Sequence, residues 1–320
     1  MKLALQLLSY KGEDYLPYLF ESLKNQTFKD WRLFFLDNGS VEPHTSALKR
    51  AVAESGLPIE FFRVETNLGF AGGHDFLFEK TRSAEYVMLV NDDAFIEPEY
   101  ITRCLAYLET HPECAAAEGV ILRWDFGHLE DNGGRTQIVD SLGLEVKRNF
   151  SIRDIGMGKP LPAAQSTHDV FGVTGCLPLY RVSALIASSP DKKIFDPTYF
   201  AYKEDVDLAL RLRAAGYAAT LVGTAFGYHR RGYGEKKFLR PKTDAAYLSY
   251  RNHLWLLLAH LRWRDIFWKR ICVIPYEKLK FIYWLLRKPS FVLNAWRETR
   301  ENWRYLMAKR SWLRGLRKTR

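Results

Sequence analysis

The N-terminal part of the chain alternates short apolar runs with longer stretches in which apolar side chains recur every three or four positions. "LALQLLSY", "WRLFFLDN", "IEFFRVE" and "YVMLVND" read as strands. Between them, "EDYLPYLFESLKNQ" places Leu16, Leu19, Phe20 and Leu23 on one helical face, "TSALKRAVAESG" is a helix stopped by Gly56, and "AGGHDFLFEKTR" is a helix opening after a glycine turn. This alternation predicts an α/β fold: a Rossmann-like, mostly parallel sheet with helices on both faces. Ligands of such sheets bind beyond the carboxyl ends of the strands, where Asp37 and Asp93 both fall.

"PEYITRCLAYLETHP" predicts a further helix behind Pro98, after which the regularity weakens. Residues 124–168, rich in Gly, Asp and Arg, read as loops with a hairpin. "VFGVTGCLPLYRVSAL" reads as a strand leading into a helix, "EDVDLALRLRAAGY" as a helix ended by Gly216, and "AATLVGTAFGYHR" as a strand. "AAYLSYRNHLWLLLAHLRW" is an apolar helix, and Pro275 and Pro289 punctuate the remainder of the chain. In "SFVLNAWRETRENWRYLMAKR", Val292, Trp296, Thr299, Trp303 and Leu306 share one helical face and Arg297, Arg300 and Arg304 another, the pattern of an amphipathic helix with a basic side. No internal repeat or low-complexity tract is present.

With 320 residues, 47% of them hydrophobic, the chain can bury one large core or two modest ones. Cys104, Cys114, Cys176 and Cys272 lack metal-ligand spacing and predict buried thiols in a reducing cytosol. Lys11, Glu13 and Asp14 follow the first apolar run closely, so it reads as a strand and not as a signal peptide; no uncharged stretch reaches the ~18 residues that span a bilayer. The net charge of +10 is unevenly placed. Residues 249–320 hold 18 Lys and Arg against four Asp and Glu, a net of +14, which leaves −4 on the first 248 residues. The same tail holds seven of the nine tryptophans, and basic residues interleaved with Trp point to an anionic membrane surface or a nucleic acid.

Several short motifs can carry chemistry. Asn91, Asp92 and Asp93 end an apolar strand, and a divalent cation would offset the two adjacent carboxylates while holding a diphosphate. The alternative is a solvated acidic turn that caps the next helix. Glu204, Asp205 and Asp207 open a helix, where acids complement the dipole, yet three in four residues exceed what capping needs; one could serve as a general base. "DNGS" at 37–40 is a turn by composition, and "NLGFAGGHD" at 67–75 offers glycines for close approach to phosphate or sugar without a GxGxxG fingerprint. His229 follows a strand and could ligate metal, although a lone histidine is more often structural or exposed.

Taken in order, "SYKGEDYLPYLFESLKNQTFKDWRLFFLDNGS", "NLGFAGG", "VMLVNDDAF", "GVTGCLPLYRVSAL", "FDPTYFAYKEDVDLALRLRAAGY" and "GYHRRG" closely resemble the inverting glycosyltransferases of family 2, over roughly residues 3–230. The nearest match is the bacterial rhamnosyltransferase-like branch that builds cell-surface polysaccharide. The resemblance implies a GT-A fold and a sugar transferred from a nucleotide-sugar donor, dTDP-rhamnose first and UDP-sugars next, to a glycan or lipid-linked acceptor. It implies that Asp37 binds the nucleobase beside Ser9 and Tyr10, that Asn67 and Gly69 line the nucleotide and sugar, and that Asp93 coordinates Mg²⁺ or Mn²⁺ with His229 as a further ligand. Asp92 is assigned to the nucleotide-sugar, because the motif's first position is Asn91 and the metal then rests on Asp93. Asp205 of the Glu204–Asp205 pair matches the catalytic base, and the asparagine frequent after the paired glycines is replaced by His74 or Asp75.

The expected organisation is a catalytic domain over residues 1–240, with a nucleotide-binding half (1–98) and an acceptor half (99–240), followed by a basic helical region over 241–320. Within the latter, the first helix is expected to pack on the catalytic domain or on a second subunit of a homo-oligomer. Residues 264–320 are expected to lie on the cytoplasmic face of a membrane. Two rivals remain. A sugar-1-phosphate nucleotidyltransferase would need a Gly-rich, Arg- and Lys-bearing loop after the first strand, which "SYKGEDYL" does not supply. A non-catalytic nucleic-acid or membrane binder could use the basic tail, but no recognition module accompanies it and the acidic remainder would repel phosphates, so no nucleic-acid partner is expected.

Overall fold

The computed structural model describes residues 1–231, 245–261 and 263–317, without the side chains of 263–270; the expected boundary at 240/241 and Gly232 of the "GYHRRG" motif lie outside the described residues. The first half follows the apolar pattern closely: β1 (Leu3–Ser9), α1 (Leu16–Lys24), β2 (Trp31–Asn38), α2 (His44–Ser55), β3 (Ile59–Val64), α3 (Gly69–Thr81) and β4 (Tyr86–Asn91). β1 runs parallel to both β2 and β4, and β2 parallel to β3. Val87, Met88, Leu89 and Val90 are wholly buried, as a central strand covered on both faces requires. Gly56 adopts φ 65, closing α2 with the left-handed cap that glycine permits.

The second half adds β5 (Ala94–Ile96), α4 (Tyr100–Thr110), β6 (Cys114–Trp124), β7 (Arg135–Ser141), β8 (Leu144–Val146), β9 (Ile152–Asp154), β10 (His168–Val170), β11 (Leu179–Arg181), α5 (Val182–Ala187), α6 (Glu204–Ala214) and β12 (Ala218–His229). The sheet order is β10-β12-β6-β11-β4-β1-β2-β3, with β5 on β12 and β7 on β6. β11 is antiparallel to both neighbours and joins the two parallel halves, while β8 and β9 form a separate hairpin. The expected mostly parallel sheet between helices is therefore present. The long strand β6 has no alternating pattern in "CAAAEGVILRW", because burial on both faces replaces alternation, and its alanines favour helix when read locally. In "VFGVTGCLPLYRVSAL" the expected strand leading into a helix is β11 followed by α5, while Val170 ends β10 and residues 171–178 between β10 and β11 form a loop. Gly172 lies against α6, where an added Cβ would stand 2.4 Å from Cβ of Ala209.

The tail forms α7 (Ala245–His260), α8 (Trp263–Arg287), α9 (Pro289–Glu301) and α10 (Trp303–Leu316). Pro289 starts α9 as expected, but α8 runs through Pro275. The single amphipathic helix expected over 290–310 is two helices, parted at Asn302. Val292, Ala295, Thr299 and Leu306 are buried, while Trp296 and Trp303 stay about half exposed. Trp255, Leu256, Val273 and Leu306 share one core with Leu144, Phe150, Tyr199 and Val206 of the sheet-bearing part, so the first tail helix does pack on the catalytic region. Each such side chain contributes about 1.5–3 kcal/mol when fully buried. Cys104, Cys114 and Cys176 are buried as expected, whereas Cys272 is exposed on α8.

Candidate active site at the mouth of the sheet

Strand register builds the mouth. Ser9 lies opposite Asp37, and Leu8 opposite Asn91, so the carboxyl ends of β1, β2 and β4 open on one edge. Asp37 is fully buried, and its Oδ1 accepts the Ser40 N–H at 2.9 Å. Its Oδ2 has no hydrogen-bond donor; Arg63 Nε, on the cross-strand partner residue, stands 3.5 Å away. A buried carboxylate oxygen without a donor is costly, by about 1–3 kcal/mol or more, and ready to accept an N–H. The next residue ties two loops together. Asn38 Nδ2 donates to Asn67 Oδ1 and to the Gly69 carbonyl, both at 3.1 Å, and Asn67 Oδ1 also accepts the Gly69 N–H at 2.7 Å. The Asn67 side chain is thus committed to the turn. Gly39 (φ 84) passes so close that a Cβ would meet the Asn67 nitrogen at 2.6 Å. Tyr10 is exposed at the rim, with Lys11 Nζ 5.2 Å from its ring centre.

The two aspartates after β4 face opposite ways. Asp92 turns toward β1, accepting from Ser9 Oγ at 2.6 Å and filling the space left by Gly12, where a Cβ would come within 1.8 Å of it. Burial and the Asp93 charge push Asp92 up to about 7. Asp93 turns toward β12, which pairs His229 with Ala94 and sets His229 Nε2 3.1 Å from Asp93 Oδ1. Burial opposes ionisation of Asp93, but His229 overrides it and holds the carboxyl below its ordinary range. Burial likewise opposes the imidazolium, yet Cys176, Asp93 and Asp140 hold His229 well above its ordinary value. The far ring nitrogen, Nδ1, lies 2.9 Å from Asp140 Oδ2, and Asp140 in turn is 3.2 Å from Arg231 Nε. Once a cation displaces the Nε2 proton, the Asp93 oxygen and the His229 nitrogen converge as donors while Asp140 orients the ring, a set that suits a divalent cation. Among the described residues no three His, Cys, Asp or Glu side chains form a metal cage. Such a cation would draw its remaining ligands from substrate phosphates and water, as Mg²⁺ commonly does.

The acids at the start of α6 separate by environment. Asp207 is fully buried and accepts from His260 Nε2 and Lys309 Nζ, each at 2.7 Å, and from Arg211 Nε at 2.9 Å. Its burial is outweighed by Lys309, His260 and Arg211, which hold it far below the carboxylate range; its role is structural. Asp205 is half-buried and accepts the Val206 N–H at 2.7 Å, and its Cβ lies 4.0 Å from where a Cβ on Gly175 would stand. Burial, with the Asp154 charge, raises it to about 6. Burial, with the Asp205 charge, raises Glu204 further, to about 8, and its Oε2 has no partner. At neutral pH the pair therefore carries its negative charge on Asp205.

The loop before α6 is strained. Phe200 sits at φ 63, ψ −64, the centre of a γ-turn closed by Ala201 N–H to the Tyr199 carbonyl at 2.7 Å, and Tyr202 (φ 69) and Lys203 (φ 70) are also left-handed. This γ-turn form is rare, and each such residue costs about 1–3 kcal/mol. Gly69 makes room for it, since a Cβ there would lie 2.4 Å from the Phe200 carbonyl oxygen, which accepts the Ala71 N–H at 3.0 Å.

One turn connects the parts. Gly175 lies against Asp205, Cys176 adjoins His229, and buried Glu118 accepts from Thr174 through both its hydroxyl and its N–H. His74 and Asp75 are placed elsewhere: His74 Nδ1 lies 3.0 Å from Gln6 beneath the sheet, and Asp75 accepts the Ile194 N–H at 3.1 Å. Sequence reasoning missed Arg63, Asn38, Asp140 and Glu118. Arg63 had a usable signal, since parallel pairing of two adjacent strands sets it beside Asp37; Asp140 and Glu118 sit in stretches with no motif.

A parallel half-sheet with a buried strand-end carboxylate, an acidic turn after its fourth strand and an acidic helix start beyond an antiparallel strand is the GT-A arrangement. Residues 7–186 match the profile of Glycosyl transferase family 2, and the chain belongs to that family. It is 22% identical over 237 residues to glucomannan 4-beta-mannosyltransferase 2 of Arabidopsis thaliana, covering 69% of this chain and 39% of that protein. The fold resembles GalNAc-T7, crystallised with UDP, GalNAc and Mn²⁺, at a TM-score of 0.62 and 11% identity over 81% of this chain and 48% of that one. It also resembles residues 1–349 of S. aureus TarS in complex with UDP-GlcNAc, at a TM-score of 0.56 and 14% identity over 100% of this chain and 91% of that one. The chain thus spans less than half the length of the mannosyltransferase and of the GalNAc-T7 chain.

Proposed function

We propose that the protein is an inverting, metal-dependent glycosyltransferase that moves a sugar from a nucleoside-diphosphate donor to a hydroxyl of a glycan or lipid-linked acceptor in cell-surface polysaccharide synthesis. The observation that carries this reading is the turn Thr174–Cys176, which sets Gly175 beside Asp205 and Cys176 beside His229, the partner of Asp93. Asp37 would accept the ring N–H of uracil or thymine, with Ser9, Tyr10, Asp92 and the Asn67–Gly69 loop walling the nucleotide and sugar. Asp93 and His229 would hold Mg²⁺ or Mn²⁺; when bound, the ion offsets the charge that grows on the departing diphosphate. Asp205 takes the proton from the acceptor hydroxyl as that oxygen attacks the anomeric carbon, and protonated Glu204 adds no second charge beside it.

The resemblance to rhamnosyltransferase-like enzymes makes dTDP-rhamnose the first donor to try. The relatives bring in UDP-GlcNAc, UDP-GalNAc and mannosyl nucleotides. The test is a panel of these with Mn²⁺, read by thermal stabilisation and by nucleotide release. Stabilisation by one donor, with release that Asp93→Ala removes, is expected; a panel with no effect would sink the reading.

We further propose that α8 and α9 rest on an anionic membrane surface. No described helix is long and apolar enough to cross a membrane, yet Ile271, Leu279, Leu286 and Leu293 are 76%, 69%, 80% and 66% exposed. On α8, Ile271, Ile274, Leu279, Ile282, Leu285 and Leu286 fall on one helical side, an outward apolar band on the most basic part of the chain. That pairing of apolar band and positive charge favours anionic lipid over a neutral protein partner.

A further inference from the structure

The strained loop 199–203 stands between the glycine-rich turn and the acid pair, and most of the hydrogen bonds to its carbonyls come from α7. Asn252 Nδ2, on α7, lies 3.1, 2.9 and 2.7 Å from the carbonyl oxygens of Tyr199, Ala201 and Tyr202. Beside it, Arg251 Nη2 donates to the carbonyls of Thr198 and Tyr199 at 3.1 and 3.2 Å. Arg251 also donates to Asn252 Oδ1 from Nε at 3.0 Å and from Nη2 at 2.9 Å, so the two side chains set each other's orientation. Glu298 of α9 fixes the outer nitrogen of Arg251 at 2.7 Å, and the guanidinium lies 4.4 Å from the Trp255 ring centre. The Tyr199 carbonyl is the acceptor that closes the γ-turn at Phe200, and the opposite side of that turn is held by the Ala71 N–H.

We infer that Arg251 and Asn252 are positioning residues for the transfer reaction: they clamp the strained 199–203 loop so that it presents Glu204 and Asp205 to the sugar-binding turn at Gly69–Ala71. A non-glycine γ-turn and two further left-handed residues persist only where surrounding contacts over-determine them, and here the Arg251–Asn252 pair supplies five hydrogen bonds to the carbonyls of 198–202, beside the Ala71 N–H on Phe200. The basic tail is then part of the catalytic apparatus and not only an anchor. This inference rests on the assignment of Asp205 as base.

The test compares wild type with Asn252→Ala in the full chain. Without substrate, chymotrypsin is expected to cut after Phe200 or Tyr202 about tenfold faster in the variant, as the loop opens locally. In transfer assays kcat is expected to fall about tenfold or more, while Kd for UDP with Mn²⁺ stays within about twofold, separating positioning from nucleotide binding. Asn252→Asp, nearly the same size, sets an oxygen against the three carbonyls; it provides the same comparison should the alanine variant fold poorly. Wild-type cleavage and wild-type kcat in these variants would overturn the inference, as would faster cleavage with unchanged kcat. If Asn252 variants lose transfer while Asp205→Asn keeps it, the clamp stands and the base assignment falls.

Discussion

Asp205 and Asp207 sit two positions apart on one helix and have opposite fates. Asp207 is surrounded by Lys309, His260 and Arg211 and stays ionised at any moderate pH, whereas Asp205, raised to about 6, titrates close to neutrality. Asp205→Asn should lower transfer by ~10²–10⁴ while leaving UDP binding intact, checked by kcat alongside calorimetric titration. The pH profile carries a matching signature. A base must be deprotonated, so kcat should be full above Asp205's pKa and decline as pH falls through about 6, rather than near the ordinary 3.8. A flat profile down to pH 4 would rule Asp205 out. The acidic helix start was legible in the sequence, but which acid is free was not. Of the partners that neutralise Asp207, Arg211 at i+4 is local, but His260 and Lys309 lie 53 and 102 positions later in the chain, and no local pattern records them.

At the scale of elements, the turn Thr174–Cys176 owes its place to Glu118 on β6. Burial raises Glu118 from 4.5 to about 8, against the opposing hydrogen bonds from Thr174. Between those values the folded chain binds a proton that the unfolded chain has released, so this group's contribution to stability falls as pH rises through the window. Glu118→Gln does not titrate and should gain stability over wild type steadily from pH 5 to about 8, as read from denaturant midpoints; a constant offset would refute the buried proton. The first four strands were legible because their apolar runs are bounded by turn residues. β6 was not, since an alanine-rich strand buried on both faces has neither alternation nor strong β propensity. The break at Asn302 was hidden for another reason: it leaves the i, i+3, i+4 spacing almost intact and shows only in which residues the fold covers.

For the molecule as a whole, charge and apolar surface are concentrated at one end. Co-sedimentation with vesicles of anionic lipid should retain the full chain at low salt and release it at high salt, with ~1 kcal/mol per basic residue near the surface. Ile282→Glu with Leu286→Glu should abolish retention without altering UDP binding; retention on neutral vesicles alone would contradict the charge argument. Cutting the tail away is a poorer experiment, because Lys309 of α10 is buried between Asp196, at 2.6 Å, and Asp207, at 2.7 Å. Lys309→Met should destabilise the whole fold by about 3–5 kcal/mol, measured by chemical denaturation, since both carboxylates lose their cation. The same lysine sets an order of events during synthesis. A chain made from its N-terminus has its strands, its acidic turn and α6 outside the ribosome long before residue 309 is added. Until then Asp196 lacks its lysine, and while His260 is also still to come Asp207 has Arg211 as its cation, with the Tyr199 hydroxyl beside it. The nascent protein is therefore expected to remain without a finished reaction centre until α10 has been translated, which would keep an unanchored chain from acting on sugar nucleotides in the meantime.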